Sequence, residues 1–344
     1  RGIAMLKFAT SLVVLALTTG SGLADAPVKI TFLGVGDVYE MAGDGVQGGI
    51  ARLNAVAKAE RAANPNTIYV FDGDLLSPSL MSSTDKGASA IALTSLVPFD
   101  LAVPGNHEFD FGPENFFAQA QAGSYPWAAI NITGPDGKAP AGLGGVMVKE
   151  MAGLKIALIP VAQDTTPEVA SPGDLQFQPT VDSAVAAAKS AREAGADLVV
   201  GVVQTDWEND RRLIRSKAFD LILSGDDHSY GTYYDGITAY VETSIDARLL
   251  SPVDLTVTIG TDKDGKRKVK WYPTFRFIDT ADVTPDPDTQ AKVDAYQAGL
   301  DKALSETVGT STTALDSRRN VVRGQESSMG DLIADAMRWA TGAD

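Results

Sequence analysis

The chain has 344 residues, 44% of them hydrophobic and 21% charged, with a formal net charge of −15. This is the composition of a globular protein with one large or two moderate domains, and its acidity argues against nucleic acid or an anionic membrane surface as the main partner. Cysteine is absent, which excludes a disulfide framework, a thiolate nucleophile and a thiolate zinc site.

In chain order, Met5-Leu6-Lys7 precedes a brief apolar run over 8–17, and Gly22-Leu23-Ala24-Asp25-Ala26 offers small-residue cleavage points. That pattern predicts a secretory signal over 1–26, too short in its apolar part to span a bilayer, and a periplasmic or secreted protein. No later apolar stretch is long enough for a span. Val28 to Leu33 alternates and is β-branched, so it predicts a strand running into Gly36-Asp37-Val38-Tyr39-Glu40. A helix is expected from Ile50 to about Ala62, with Leu53, Val56 and Ala57 on one face. The run 67–71 predicts a second strand, ending in Asp72-Gly73-Asp74.

A helix near 88–96 leads to an apolar run over 99–103 that Pro104-Gly105 stops. The strand end delivers Asn106, His107 and Glu108 to one loop tip, the place where ligands bind in an open α/β sheet. Only 2 histidines occur in the chain, and the other, His228, also follows a strand-like run, 219–223, through Ser224-Gly225-Asp226-Asp227. Buried strands are expected at 155–159 and 197–203, separated by an alanine-rich helix over 181–194. Strands alternating with helices indicate an α/β architecture. Further on, 253–259 and 266–277 predict a hairpin turning at Asp262-Lys263-Asp264-Gly265. Thr284-Pro285-Asp286-Pro287 reads as a linker, followed by helices near 288–307 and 328–341.

Each acidic or amide-bearing motif follows a predicted strand: Asp37, Asp74, Asn106-His107, Gln204 with Asp206, and Asp226-Asp227-His228. Taken singly, these residues are equally helix caps or turn residues. Brought to one crevice, their carboxylates would repel one another, and divalent cations are their natural stabiliser. Two such cations sharing a carboxylate can clamp a phosphoryl group for in-line attack.

The order Gly36-Asp37, Gly73-Asp74, Gly105-Asn106-His107-Glu108 and Gly225-x-x-His228 resembles the calcineurin-like metallophosphoesterases. Gly105 to Gly112, Asp164 to Glu168 with Pro172-Gly173, and Arg323 to Arg338 resemble their 5′-nucleotidase and UDP-sugar hydrolase branch. The resemblance implies a four-layer αββα sandwich over 27–284, a linker helix over 285–308, and at 309–344 the beginning of a second α/β domain. It implies hydrolysis of phosphate monoesters such as nucleotides, with Asp74 bridging two metals. Asp37 and His228 would complete the first site, and Asn106 would join the second. His107 would face the phosphate as an acid–base or electrostatic group, oriented by Asp110.

Three positions depart from the family's usual pattern. Tyr39 stands where D-x-H has histidine, Gln204 ends a strand that usually ends in a ligand histidine, and Asp226 replaces the first histidine of G-H-x-H. A neutral phenol is a poor ligand, so Tyr39 is expected to pack or to face substrate. Gln204 and Asp226 can bind cations through oxygen, which favours Mn²⁺, Mg²⁺ or Ca²⁺ over Zn²⁺. Against the hydrolase stands a non-catalytic or single-metal descendant that binds a ligand. Retention of Asp74, Asn106, His107 and Asp110 together favours the enzyme.

Overall fold

The computed structural model describes residues 26–343, so most of the expected leader, 1–25, lies outside the described residues. Two sheets form the centre. The first has seven strands in the order Arg267–Phe275, Val253–Thr261, Val28–Val35, Thr67–Phe71, Leu101–Ala102, Trp127–Ala128 and Leu143–Gly144. The second has six, in the order Gly231–Tyr234, Ala239–Glu242, Leu221–Gly225, Leu198–Gln204, Leu154–Val161 and Met147–Met151. The inner strands of both run parallel; antiparallel strands close both edges of the second sheet and one edge of the first, whose other edge strand, Leu143–Gly144, is parallel.

Period-two alternation assigns the faces. Ile30, Phe32, Ile68, Val70 and Leu101 of the first sheet pack in one buried cluster with Ile156, Leu158, Val200, Val202, Leu221 and Leu223 of the second. The residues between them on the second sheet, among them Ile159, Val199, Val203 and Ile222, face outward onto Val181, Ala184 and Ala188 of the helix Thr180–Glu193. The helix Ile50–Ala63 buries Ile50, Leu53, Asn54 and Ala57, the spacing of one helical face, beside the first sheet. The result is helix, sheet, sheet, helix, the αββα sandwich expected. Truncating an inter-sheet side chain such as Phe32 would cost about 3–5 kcal/mol.

Register fixes where the loops emerge. Val35 stands opposite Phe71 and Phe71 opposite Ala102, so three parallel strands leave the first sheet at one level. On the second sheet Gln204 stands opposite Gly225. The carboxyl ends of five strands therefore open on a common edge, where ligand crevices form in open α/β sheets.

The chain divides into two compact units between Ala295 and Tyr296, within the helix Pro287–Leu304. The second unit contains the helices Arg319–Val322 and Ser328–Thr341, the latter capped by Ser327. Among the described residues no helix is long and apolar enough to cross a membrane.

Candidate metal centre and active site

Four residues at this edge hold backbone conformations that side chains rarely adopt: Asp37 (φ 56°), Asp74 (φ 66°), His228 (φ 58°) and Asp226 (φ 110°). Each costs about 1–3 kcal/mol and persists only where surrounding bonds over-determine it. The bonds are present. Asp37 N and Val38 N donate to the carbonyls of Gly73 (2.8 Å) and Asp74 (3.0 Å), tying the first two loops together. The buried carboxylate of Glu108 accepts four backbone N–H groups, from Asp74, Leu75, Leu76 and Gly105. Asp246 does the same for the first loop, accepting Tyr39 N at 3.0 Å and Glu40 N at 2.9 Å.

The motif glycines are steric necessities. A Cβ at position 105 would stand 2.2 Å from Asp74 Oδ1, and one at 73 would stand 2.5 Å from Gln204 Oε1. At 225 it would meet Gln204 Oε1 at 2.7 Å and Asp37 Oδ2 at 2.9 Å. Real Cβ atoms do not approach so closely, so only glycine lets these functional atoms meet.

Around Asp37 the structure brings together residues from both sheets. Its Oδ2 accepts Asp226 N (2.9 Å), and its Oδ1 accepts Gln204 Nε2 (3.3 Å) and lies 3.7 Å from His228 Nε2. Tyr39 completes the group, with its hydroxyl 3.2 Å from Asp37 Oδ1, 3.2 Å from Asp74 Oδ2 and 3.1 Å from His228 Nε2. Its ring meets those of His107 and His228 edge-on. The sequence predicts packing or a substrate-facing position for this side chain. The ring does pack, edge-on between His107 and His228, and its hydroxyl points in among Asp37, Asp74 and His228.

The electrostatics call for a cation. Burial raises Asp74 well above the carboxylate range, and the Glu108 and Asp37 charges add to it. Asp37 is also raised by burial, against hydrogen bonds that lower it. Burial and the Asp37 charge push Asp226 up to about 7. Asp72 is buried with neither carboxyl oxygen hydrogen-bonded, and burial raises it too. Among the described residues no lysine or arginine is paired with any of the four. Uncompensated carboxylates this close need protons or a metal. Gln204 Oε1 is buried without a partner, and none of the described hydrogen bonds uses the Asn106 amide. Gln204 Oε1, the Asn106 amide and Asp226 Oδ1 are thus not taken up by hydrogen bonds among the described residues, and with Asp74 they make an oxygen donor set that suits a hard cation. The Asp37–Asp74–His228 side does not fit while the Tyr39 hydroxyl stands at its middle.

The remaining pair has the geometry of an oriented imidazole. His107 Nδ1 lies 2.7 Å from Asp110 Oδ2, and Ser77 Oγ bonds the same oxygen. The backbone N–H of His107 donates to Asp74 Oδ1 at 2.8 Å, so ring and carboxylate are fixed to one another. Burial opposes charging of His107, but Asp110 outweighs it and the pKa is raised. Asp110 itself is lowered, since the His107 and Ser77 bonds overcome its partial burial.

Sequence reasoning missed the holding role of Glu108, Asp246 and Ser77. Glu108 lay in the singled-out motif, whereas Asp246 carried no signal. Asp206 caps the helix Trp207–Ser216, accepting Asn209 N at 2.9 Å. Among the described residues, the one trio of His, Asp or Glu whose ligand atoms all lie within 4.8 Å of one another is Asp210, Asp227 and Glu242. Its two buried members are already satisfied, Asp210 by the Ser224 and Tyr240 hydroxyls and Glu242 by the Tyr240 hydroxyl and Ser229 N.

The family model of the calcineurin-like phosphoesterases matches residues 30–230, more than half of the chain, and the chain belongs to that family. It is similar to the 5'-nucleotidase of Homo sapiens, 23% identical over 323 residues that cover 84% of this chain and 54% of the relative. It is also similar to the trifunctional nucleotide phosphoesterase protein YfkN of Bacillus subtilis, 22% identical over 327 residues, 83% of this chain and 22% of the relative. The chain spans about half the length of the human relative and 59% of the 5'-nucleotidase of Diplobatis ommata. Among solved structures, a 5'-nucleotidase precursor from Thermus thermophilus superposes with a TM-score of 0.69 at 17% identity, covering 91% of this chain and 67% of its own. The YfkN phosphoesterase from Bacillus subtilis superposes with a TM-score of 0.68 at 19% identity, covering 82% and 100%. Identities this low bear on the fold alone.

Proposed function

We propose that this chain hydrolyses phosphate monoesters, nucleotides among them, using a divalent cation held by Asp74 with Asn106, Gln204 and Asp226. The observation that carries the reading is His107: its ring is locked by Asp110 through Nδ1, and its backbone is bonded to Asp74. A ligand-binding module needs no such coupling of an imidazole to the acidic centre.

A bound Mn²⁺, Mg²⁺ or Ca²⁺ would lend Lewis acidity to the phosphoryl oxygens and lower the pKa of a water molecule. The chain's own residues do the rest. Asp110 keeps the Nδ1 proton of His107 in place, which leaves Nε2 to face the ester. A protonated Nε2 donates to a phosphoryl or leaving-group oxygen as charge develops there. Glu108 and Asp246 hold the loops so that these atoms need not reorganise during reaction. The two-cation arrangement implied by the family resemblance also requires the position among Asp37, Asp74 and His228, where the Tyr39 hydroxyl lies. That contact favours the second reading, a single-metal or non-catalytic member that binds a ligand.

We read 27–284 as the catalytic domain, 285–308 as a linker helix and 309–344 as the beginning of a second α/β domain. The basic and apolar start supports export to the periplasm or beyond.

The test is phosphate release from AMP and from an aryl phosphate, using protein stripped by chelator and resupplied with single divalent cations. Cation-dependent turnover that Asp74→Asn abolishes is the expected result. Background turnover with every cation would refute the hydrolase and leave the binding module.

A further inference from the structure

We infer that the centre takes one divalent cation rather than two, because the Tyr39 hydroxyl occupies the other position as a built-in uncharged substitute. The inference rests on the cation reading proposed above and specifies its stoichiometry.

The first observation is position. Asp37 Oδ1, Asp74 Oδ2 and His228 Nε2 come from three loops on two sheets, and they surround one point at 3.2, 3.2 and 3.1 Å. That point is the phenol oxygen. Magnesium needs oxygen at about 2.0–2.1 Å and calcium at about 2.3–2.6 Å. These are hydroxyl distances rather than cation distances, and with the phenol oxygen at the centre no ion can stand there. A hydroxyl wants neighbours near 3 Å, and it has them.

The second observation is an asymmetry in hydrogen bonding. Asp37 is already supplied on both oxygens by Asp226 N, Gln204 Nε2 and the Tyr39 hydroxyl, with His228 close by. Neither oxygen of Asp37 is left open, while the neighbouring Asp72 carboxylate is buried without a partner on either oxygen. Gln204 Oε1, by contrast, is buried without a partner although its amide nitrogen bonds Asp37. Buried polar atoms left open in a folded protein point to something that fills them.

The third is rigidity. Tyr39 is not a loose side chain that settled into a gap. Its N–H donates to the buried Asp246, its neighbour Glu40 does likewise, and Asp246 N returns a bond to Asp37 O at 2.8 Å. Edge-on contacts with His107 (5.5 Å) and His228 (5.6 Å) fix the ring from both sides. Moving the phenol out would break the hydroxyl contacts and both ring contacts together.

The test is a Mn²⁺ titration of the chelator-stripped full chain, followed calorimetrically and by elemental analysis, with near-ultraviolet absorption recorded throughout. The wild-type chain should bind about one equivalent, and Asp74→Asn should bind none. Tyr39→His removes the hydroxyl and adds a donor, and should bind about two. Tyr39→Ala, which only opens the space, should gain a second, weaker equivalent. Circular dichroism of each variant confirms that it is folded. Two equivalents on the wild-type chain would overturn the inference, and a tyrosinate band rising with them would make Tyr39 a ligand. Retention of one equivalent by both Tyr39 variants would overturn it as well. Failure of every folded variant to bind Mn²⁺ would instead remove the cation reading itself, a distinct result of the same titration.

Discussion

Replacing Glu108 with glutamine probes how the centre is held. The buried carboxylate accepts Asp74 N (2.9 Å) and Gly105 N (2.6 Å) on Oε2, and Leu75 N (2.7 Å) and Leu76 N (3.2 Å) on Oε1. Glutamine has nearly the same shape, but one end becomes an amide donor. Two of the four backbone N–H groups would then face another N–H. A hydrogen bond to a charged group is worth about 1.5–3 kcal/mol, so the variant should lose about 3–6 kcal/mol. That is a large share of the ~5–15 kcal/mol that holds a typical domain together. Urea unfolding of chelator-treated protein, followed by circular dichroism, should show a lower midpoint at unchanged slope. The same bonds impose the left-handed turn at Asp74, so the folded variant should also bind Mn²⁺ more weakly. A loss under about 1 kcal/mol with Mn²⁺ affinity intact would refute the assignment of these loops to Glu108.

Gly105→Ala should displace the Asp74 carboxylate, since its Cβ would overlap Oδ1; Mn²⁺ binding measured by calorimetry should fall sharply while the circular dichroism spectrum stays native. Asp110→Asn should lower turnover about 10–100-fold without changing the Mn²⁺ content found by elemental analysis. Because Asp110 raises the His107 pKa, the variant's activity should also fade at lower pH than the wild type's on the alkaline side. Asp286→Ala removes the cap that accepts Thr289 N at 3.0 Å and the ion pair with Lys58, and should cost about 1–2 kcal/mol in thermal melts. Burial would raise Asp286, but the Lys58 and Thr289 bonds lower it. Its contribution should therefore be complete above about pH 4 and disappear as the pH falls through the lowered value.

Periodicity and motif order carried much of the architecture and much of the edge where the loops meet. The long strands at Val28–Val35 and Leu198–Gln204 and the helix Thr180–Glu193 are buried on regular faces, and a regular face leaves a pattern in sequence. The strand expected to end over 101–103 is a two-residue ladder, Leu101–Ala102, because pairing there depends on its neighbours' register. The edge strand Gly231–Tyr234 is largely exposed and has no apolar alternation to read. Within the centre, Asp37, Asp74, Asn106 and His107 were visible because each follows a strand. The inward turn of Tyr39 was not, since it depends on Asp246, more than two hundred residues later. Contacts over that separation leave no local trace.

The hydrogen-only positions 73, 105 and 225 have a consequence for how such a centre can diversify. Their main chain runs so close to the working atoms that an added carbon would displace those atoms, so the path of the scaffold at these points is tied to where they stand. The tips that reach into the space are under no such constraint. Glutamine at 204 and tyrosine at 39 stand on ordinary backbone and can be exchanged for other donors without redrawing the loops, whereas Asp226 is held at φ 110°. New chemistry in this socket would come from changing what protrudes, while the frame that aims it stays the same.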